Sequence, residues 1–209
     1  RQLFIYADPR FIPTATNVRI RVLHRMIHMR RVVNLEFKNL EFFGGAIKVE
    51  GVNILFEDCE FKQLHDITLP AHMNRGDLCT GIYTWNAEFV NCRFSEIPYV
   101  YPVKIRGIKS RVENCHFTNM DWWANPGGGA AELGNIARYV TFENSKVGGL
   151  GGSHLMEYCR IEDFKDPCDC SGINRGAHGA PRSMTRYNWI INGPGANGIR
   201  TVSYTHLTL

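Results

Sequence analysis

No run of eighteen apolar residues occurs in the 209-residue chain, so no segment is expected to cross a membrane as a helix. No two cysteines stand in CxxC spacing, and their number, seven, is odd; a metal cluster of the zinc type is not expected. Charge of one sign is also scarce. The net charge is +4, and the basic stretch from Arg19 to Arg31 alternates with Val18, Ile20 and Val22 without interleaved aromatics. That stretch reads as the solvent side of an early strand, and no nucleic-acid partner is expected. With 44% apolar residues and no break in composition, a single domain with one core is the expectation.

The chain opens at Arg1 with neither a methionine nor a signal peptide. Its last eight residues, Val202 to Leu209, resemble the translation of a sequencing-library adapter and are expected to be non-native. Residues 1–201 are read as one domain, with 1–31 as entry segment and first strands, open at both ends.

A short unit recurs seven times: Phe37-Lys38-Asn39, Phe56-Glu57-Asp58-Cys59, Phe89-Val90-Asn91-Cys92, Val112-Glu113-Asn114-Cys115, Phe142-Glu143-Asn144, Met156-Glu157-Tyr158-Cys159 and Arg186-Tyr187-Asn188. Three residues after each corner position stands a further apolar residue: Phe42, Phe61, Phe94, Phe117, Val147, Ile161 and Ile191. Apolar residues five apart cannot share a face of one straight strand, so a corner must separate them. Asn and Asp suit that corner because they tolerate the left-handed conformation of a sharp bend. A third strand precedes most units, in short runs opened by Gly or a loop: Gly45 to Gly51, Gly81 to Trp85, Val103 to Gly107, Ala131 to Gly134, Gly172 to Gly176 and Gly198 to Arg200. Three short strands per repeat make a parallel β-helix, an all-β solenoid.

This reading places Asn39, Asp58, Asn91, Asn114 and Asn144 in one column, at intervals of 19, 33, 23 and 30, followed by 14 and 30 to positions 158 and 188. Phe37, Phe56, Phe89, Val112 and Phe142 should form one internal stack, and Phe42, Phe61, Phe94 and Phe117 another. Cys59, Cys92, Cys115 and Cys159 follow the corner in four units, where a small thiol stacks well between coils about 4.8 Å apart. Cys79, Cys168 and Cys170 lie in insertions, where a loop bridge is conceivable. Those insertions, Leu64 to Cys79, Met120 to Gly129 and Phe164 to Ser171, all precede the third strand and should crowd one edge of its sheet.

Alternation along the third strand points Lys48, Glu50, Tyr83, Trp85, Lys104, Arg106, Glu132, Asn174 and Arg200 outward. Stacked coils turn them into a ladder of cations, carboxylates and aromatics, with Trp122 and Trp123 overhanging it and Arg175 and His178 as further binding candidates. Such a groove suits an extended, anionic, ring-bearing polymer.

The pattern over residues 32–200 resembles the secreted right-handed parallel β-helix proteins of the pectate-lyase-like superfamily. The segments Asp169-Cys170-Ser171-Gly172-Ile173, Ser183 to Ile190 and Gly198-Ile199-Arg200 are similar to a group of bacterial β-helix proteins presumed to act on polysaccharides. The resemblance implies a single-stranded right-handed β-helix, a secreted, periplasmic or cell-surface location, and lyase, hydrolase or epimerase activity in a monomer. A uronate lyase needs a cation on the substrate carboxylate and a base for the neighbouring carbon, roles open to Lys104, Arg106 and Arg200. A hydrolase needs two carboxylates, for which Glu132 and Asp169 are candidates. No cofactor is required, although Asp163, Asp166 and Asp169 could hold calcium without EF-hand spacing. A non-catalytic adhesin or glycan-binding rod is the alternative.

Overall fold

Left-handed corners set the path of the chain. The computed structural model describes residues 25–64, 81–97, 103–120, 131–145, 149–151, 153–164, 171–175, 183–193 and 197–201. Among these, seventeen non-glycine residues have φ between +50° and +58°, and eleven of them are Asn or Asp, the types that tolerate this region best. Seven form a first column: Asn39, Asp58, Asn91, Asn114, Tyr139, Tyr158 and Tyr187. Five residues after each comes a member of a second column: Gly44, Gln63, Glu96, Asn119, Asn144, Asp163 and Asn192.

Between each pair of corners lies one three-residue strand. These strands, Glu41–Phe43, Glu60–Lys62, Arg93–Ser95, His116–Thr118, Thr141–Glu143, Arg160–Glu162 and Trp189–Ile191, make a seven-stranded sheet, the third side of the solenoid. The remaining twelve strands form a second sheet with two limbs. In the early coils one bent strand runs through both limbs, as in Ala46–Glu57 and Ile82–Val90, whose pairing shifts register between Glu50 and Ile54. Later coils divide it. Val103–Arg106, Ala131–Leu133, Leu150–Gly151, Ser171–Arg175 and Asn197–Thr201 build the first limb; Arg111–Glu113, Ile136–Arg138, Leu155–Glu157 and Met184–Arg186 build the second. Every neighbour pairs in parallel. The protein is an all-β parallel β-helix, with no helix among the described residues.

The fifth and seventh coils correct the sequence reading. Asn144 belongs to the second corner column, and Tyr139 occupies its place in the first. The two are easily confused, because each corner follows an apolar residue by two positions: Val112 before Asn114, and Phe117 before Asn119. With Tyr139 restored, the intervals of 30 and 14 become 25 and 19, and no cramped glycine coil is needed. The last corner is Tyr187, one residue before Asn188, and the apolar followers are Phe142 and Ile190 in place of Val147 and Ile191.

The core follows from these registers. One inward stack on the second limb runs Phe37, Phe56, Phe89, Val112, Ala137, Met156, Thr185. Its counterpart on the third side runs Phe42, Phe61, Phe94, Phe117, Phe142, Ile161, Ile190. Phe142 therefore sits in the other stack from the one expected. Rings lie face to face along each stack, Phe56 on Phe89 at 4.6 Å and Phe94 on Phe117 at 4.2 Å between centroids, while Phe56 meets Phe61 edge-on across the core at 5.7 Å. Full burial of such a side chain contributes about 1.5–3 kcal/mol, and each aromatic pair about 0.5–1.5 kcal/mol more.

Polar ladders bind the coils where the core does not. Asn91 Nδ2 donates to Asp58 Oδ1 at 3.1 Å, and Asn114 Nδ2 to Asn91 Oδ1 at 2.8 Å. Just inside this column, Cys59, Cys92, Cys115 and Cys159 are buried free thiols. Each Sγ contacts the carbonyl oxygen two residues before it and one a coil below, for example Glu57 and Phe37 for Cys59. Burial pushes the Cys59 thiol up, Cys115 well up, and Cys159 to about 11. Where coils approach most closely on the first limb the chain uses glycine: a Cβ on Gly149 would lie 1.9 Å from the Gly172 carbonyl oxygen.

Candidate functional site

A straight row of register partners crosses the outer face of the first limb: His28, Lys48, Tyr83, Lys104, Glu132, Gly151, Asn174, Arg200. Six of these eight are site residues expected from sequence. Two positions further along the strands runs a parallel row, Arg30, Glu50, Trp85, Arg106. Parallel pairing without slippage puts equivalent side chains one above another about 4.8 Å apart, so the first limb repeats its outward chemistry along the axis. Arg175 pairs with Thr201 at the far end.

Within these rows the charges are knitted together. Arg106 Nε and Nη2 both lie 3.1 Å from Glu132 Oε2. Lys48 Nζ is 3.3 Å from Glu50 Oε1 and stands 4.7 Å from the centroid of the Tyr83 ring. Arg30 Nε reaches the other oxygen of Glu50 at 3.9 Å. Trp85 is exposed, as expected of an aromatic lining an open groove.

Two of the expected groove residues are not open to solvent. Tyr83 is 8% exposed and Lys104 6%. Alternation set the direction of these side chains but says nothing of what lies beside them. Lys104 stands in register between Tyr83 and Glu132, and Lys48 lies over the Tyr83 ring.

The rows also carry two rungs that sequence reading passed over. His28 begins the ladder, and Gly151 leaves one rung without a side chain between Glu132 and Asn174. Both lie on other strands than Lys48 and Glu132, beyond two corners, where alternation along one strand does not reach. The carboxylates on this face, Glu50 and Glu132, are three coils apart. At about 4.8 Å per coil that is ~14 Å, beyond the roughly 6.5–9.5 Å that an inverting glycosidase uses and the shorter span of a retaining one. Asp169, Trp122, Trp123 and His178 lie outside the described residues, as do Cys79, Cys168, Cys170 and the tail 202–209. The three insertions do leave from the third side and return at the first limb, after Leu64, Met120 and Phe164.

Of the acids considered for calcium, Asp163 is a second-column corner that accepts from Asn192 Nδ2 at 3.2 Å, and Asp166 lies outside the described residues. Among the described residues, no group of three or more His, Cys, Asp or Glu side chains could hold a metal ion. No described helix is long and apolar enough to cross a membrane.

A second charged cluster, absent from the sequence expectations, lies on the second limb. Glu157, with its side chain 4% exposed, receives Arg138 Nε on one oxygen and Arg186 Nε on the other, each at 2.6 Å. The Arg186 guanidinium foremost, and then Arg138, hold its carboxyl below the usual range. No protein-family model matches the chain, and no curated protein matches its sequence.

Proposed function

We propose that the first-limb face binds an extended anionic polysaccharide and that the protein is a carbohydrate-active β-helix of the pectate-lyase-like kind, acting outside the cytoplasm. The observation that carries this reading is the continuous register of the row, which sets Lys48, Tyr83 and Lys104 on successive coils, with Trp85 and Arg106 on successive coils beside them. A polymer with one acidic group per unit meets such a face at several points at once, and guanidinium groups bind carboxylates in matching planar geometry. Exposed Trp85 offers a surface for the apolar face of a sugar ring.

The chemistry that these residues suit best is elimination from a uronate. Arg106 would neutralise the substrate carboxylate, making the adjacent carbon acidic, and Lys104, acting as the free amine, would take the proton. The electron pair left on carbon forms the double bond as the bond from the next ring carbon to the glycosidic oxygen breaks, and that oxygen takes a proton from water and leaves with the neighbouring sugar as the new reducing end. The wide separation of Glu50 and Glu132 weighs against a hydrolase built from described residues.

The non-catalytic reading has its own support. Glu132 is already committed to Arg106, and Glu50 to Lys48, as in a rigid rod that stabilises its own surface. Incubation with polygalacturonate and with alginate separates the two, read by ultraviolet absorbance of unsaturated products and by new reducing ends. Lys104→Met should abolish turnover while leaving binding largely intact, and Arg106→Gln should weaken both. Binding without products selects the glycan-binding rod; no binding to either polymer rejects the groove.

A further inference from the structure

The corner between the second limb and the third side carries a feature that backbone preference does not explain. Its column begins with Asn39, Asp58, Asn91 and Asn114 and continues as Tyr139, Tyr158 and Tyr187, at φ of 52°, 55° and 56°. Asn is at ease in that conformation; a large side chain there is an outlier. The three rings are nonetheless well exposed, at 53%, 47% and 63%, and stack in sequence with centroids 5.3 and 5.2 Å apart and planes within 17°. Persisting strain at an exposed, ordered position is a recognised mark of function.

We propose that Tyr139, Tyr158 and Tyr187 form a second glycan-binding track, running along the solenoid axis on a different side from the first limb. Because the rings cover one another's faces, they leave their edges to solvent at a constant 5.2–5.3 Å. That repeat selects among polymers. An extended peptide presents same-side residues every ~6.6–6.8 Å, and a stacked nucleic-acid strand advances ~3.4 Å per unit; an extended chain of linked pyranoses advances about one coil per sugar. Beside the track the signs alternate coil by coil, Glu113, Arg138, Glu157 and Arg186, with Arg138 and Arg186 both on the enclosed carboxylate of Glu157, and the Arg186 guanidinium also lies 5.4 Å from the Tyr187 ring. Trp189, two residues beyond the last corner, is also exposed and lies in register with Arg160 on the adjoining side.

The test is a triple substitution, Tyr139→Asn, Tyr158→Asn and Tyr187→Asn, which restores the residue type used in the earlier coils. Affinity electrophoresis through polygalacturonate, alginate and a neutral mixed-linkage β-glucan measures binding, with oligo-dT as the nucleic-acid arm. Circular dichroism normalises each value to the folded fraction. The expected result is at least a tenfold weaker Kd for whichever of the three glycans the wild type binds, with an unchanged or higher melting midpoint, while Arg106→Gln, on the other face, leaves the residual track binding in place. Wild type that ignores every glycan, a triple variant that binds as wild type does, or preference for oligo-dT would overturn the proposal. Loss confined to Arg106→Gln would place all glycan binding on the first limb and overturn it equally.

Discussion

Phe94 and Phe117 lie face to face with centroids 4.2 Å apart and planes within 2° of parallel, on strands of consecutive coils and both fully buried. Each is also a neighbour to the rings above and below, so a deletion in mid-stack opens a space that the rigid strands cannot close. Phe94→Ala should cost about 3–5 kcal/mol of unfolding free energy. Urea unfolding of the variant checks this; a loss below about 1 kcal/mol would show that the stack repacks.

Asn91 separates two contributions at one corner. It holds φ at 55°, and its amide joins Asp58 below to Asn114 above. Asn91→Gly keeps the backbone conformation and removes the amide, whereas Asn91→Ala loses both. Asn91→Ala should therefore be the less stable of the two by about 1–2 kcal/mol, the cost of the left-handed conformation for an ordinary residue. Equal melting temperatures would place all the stabilisation in the amide ladder.

Glu157 gives the fold a pH dependence of known sign. Its folded carboxyl titrates below the ordinary value of 4.5 because Arg186 and Arg138 favour the charged form. In the window between the two values the unfolded chain binds more protons, so this group's contribution is complete above 4.5 and fades as pH falls through the lowered value. Chemical denaturation at a series of pH values from neutral downward should show wild type losing more stability than Glu157→Gln across that acid range. Parallel curves for the two proteins would contradict the assignment.

Thiol reactivity tests the cysteine column. A thiolate is the reactive form, and burial raises Cys59, Cys115 and Cys159, the last to about 11. Iodoacetamide at mildly alkaline pH should leave Cys59, Cys115 and Cys159 unmodified in the native protein and alkylate them in urea, as read by peptide mass mapping; the Cys92 thiol, lowered by its hydrogen bond with Cys115, is protected by burial alone. Labelling of Cys115 before unfolding would show that the coils part locally.

Much of this architecture was legible in the residues. The parity break at Asn39, Asp58, Asn91 and Asn114 carried the parallel coils, and alternation alone put Lys48, Tyr83, Lys104, Glu132, Asn174 and Arg200 in one row. The fifth coil was misread because side-chain type was followed instead of spacing. Tyr139 is a poor left-handed residue and gave no local sign of a corner, while Phe142 and Asn144 repeated the expected pattern five residues late. The burial of Tyr83 and Lys104 was beyond sequence for another reason: the direction of a side chain is a property of its strand, but its cover is set by whatever packs beside it, which alternation does not reveal. The tyrosine track was hidden by the same misreading, since Tyr139 is its first ring.

The constant five residues between the two corner columns have a further meaning. All the variation in coil length, from 19 to 33 residues, falls on the other side of the ring. Coils of unequal size therefore share the same joining points, and excision of residues 59–91 would bring Asp58 directly onto Cys92 with every later corner still in phase. Recombination between corner codons could add or remove whole coils while preserving the stack on either side, so the gene can change the length of its product in steps that the fold already accepts.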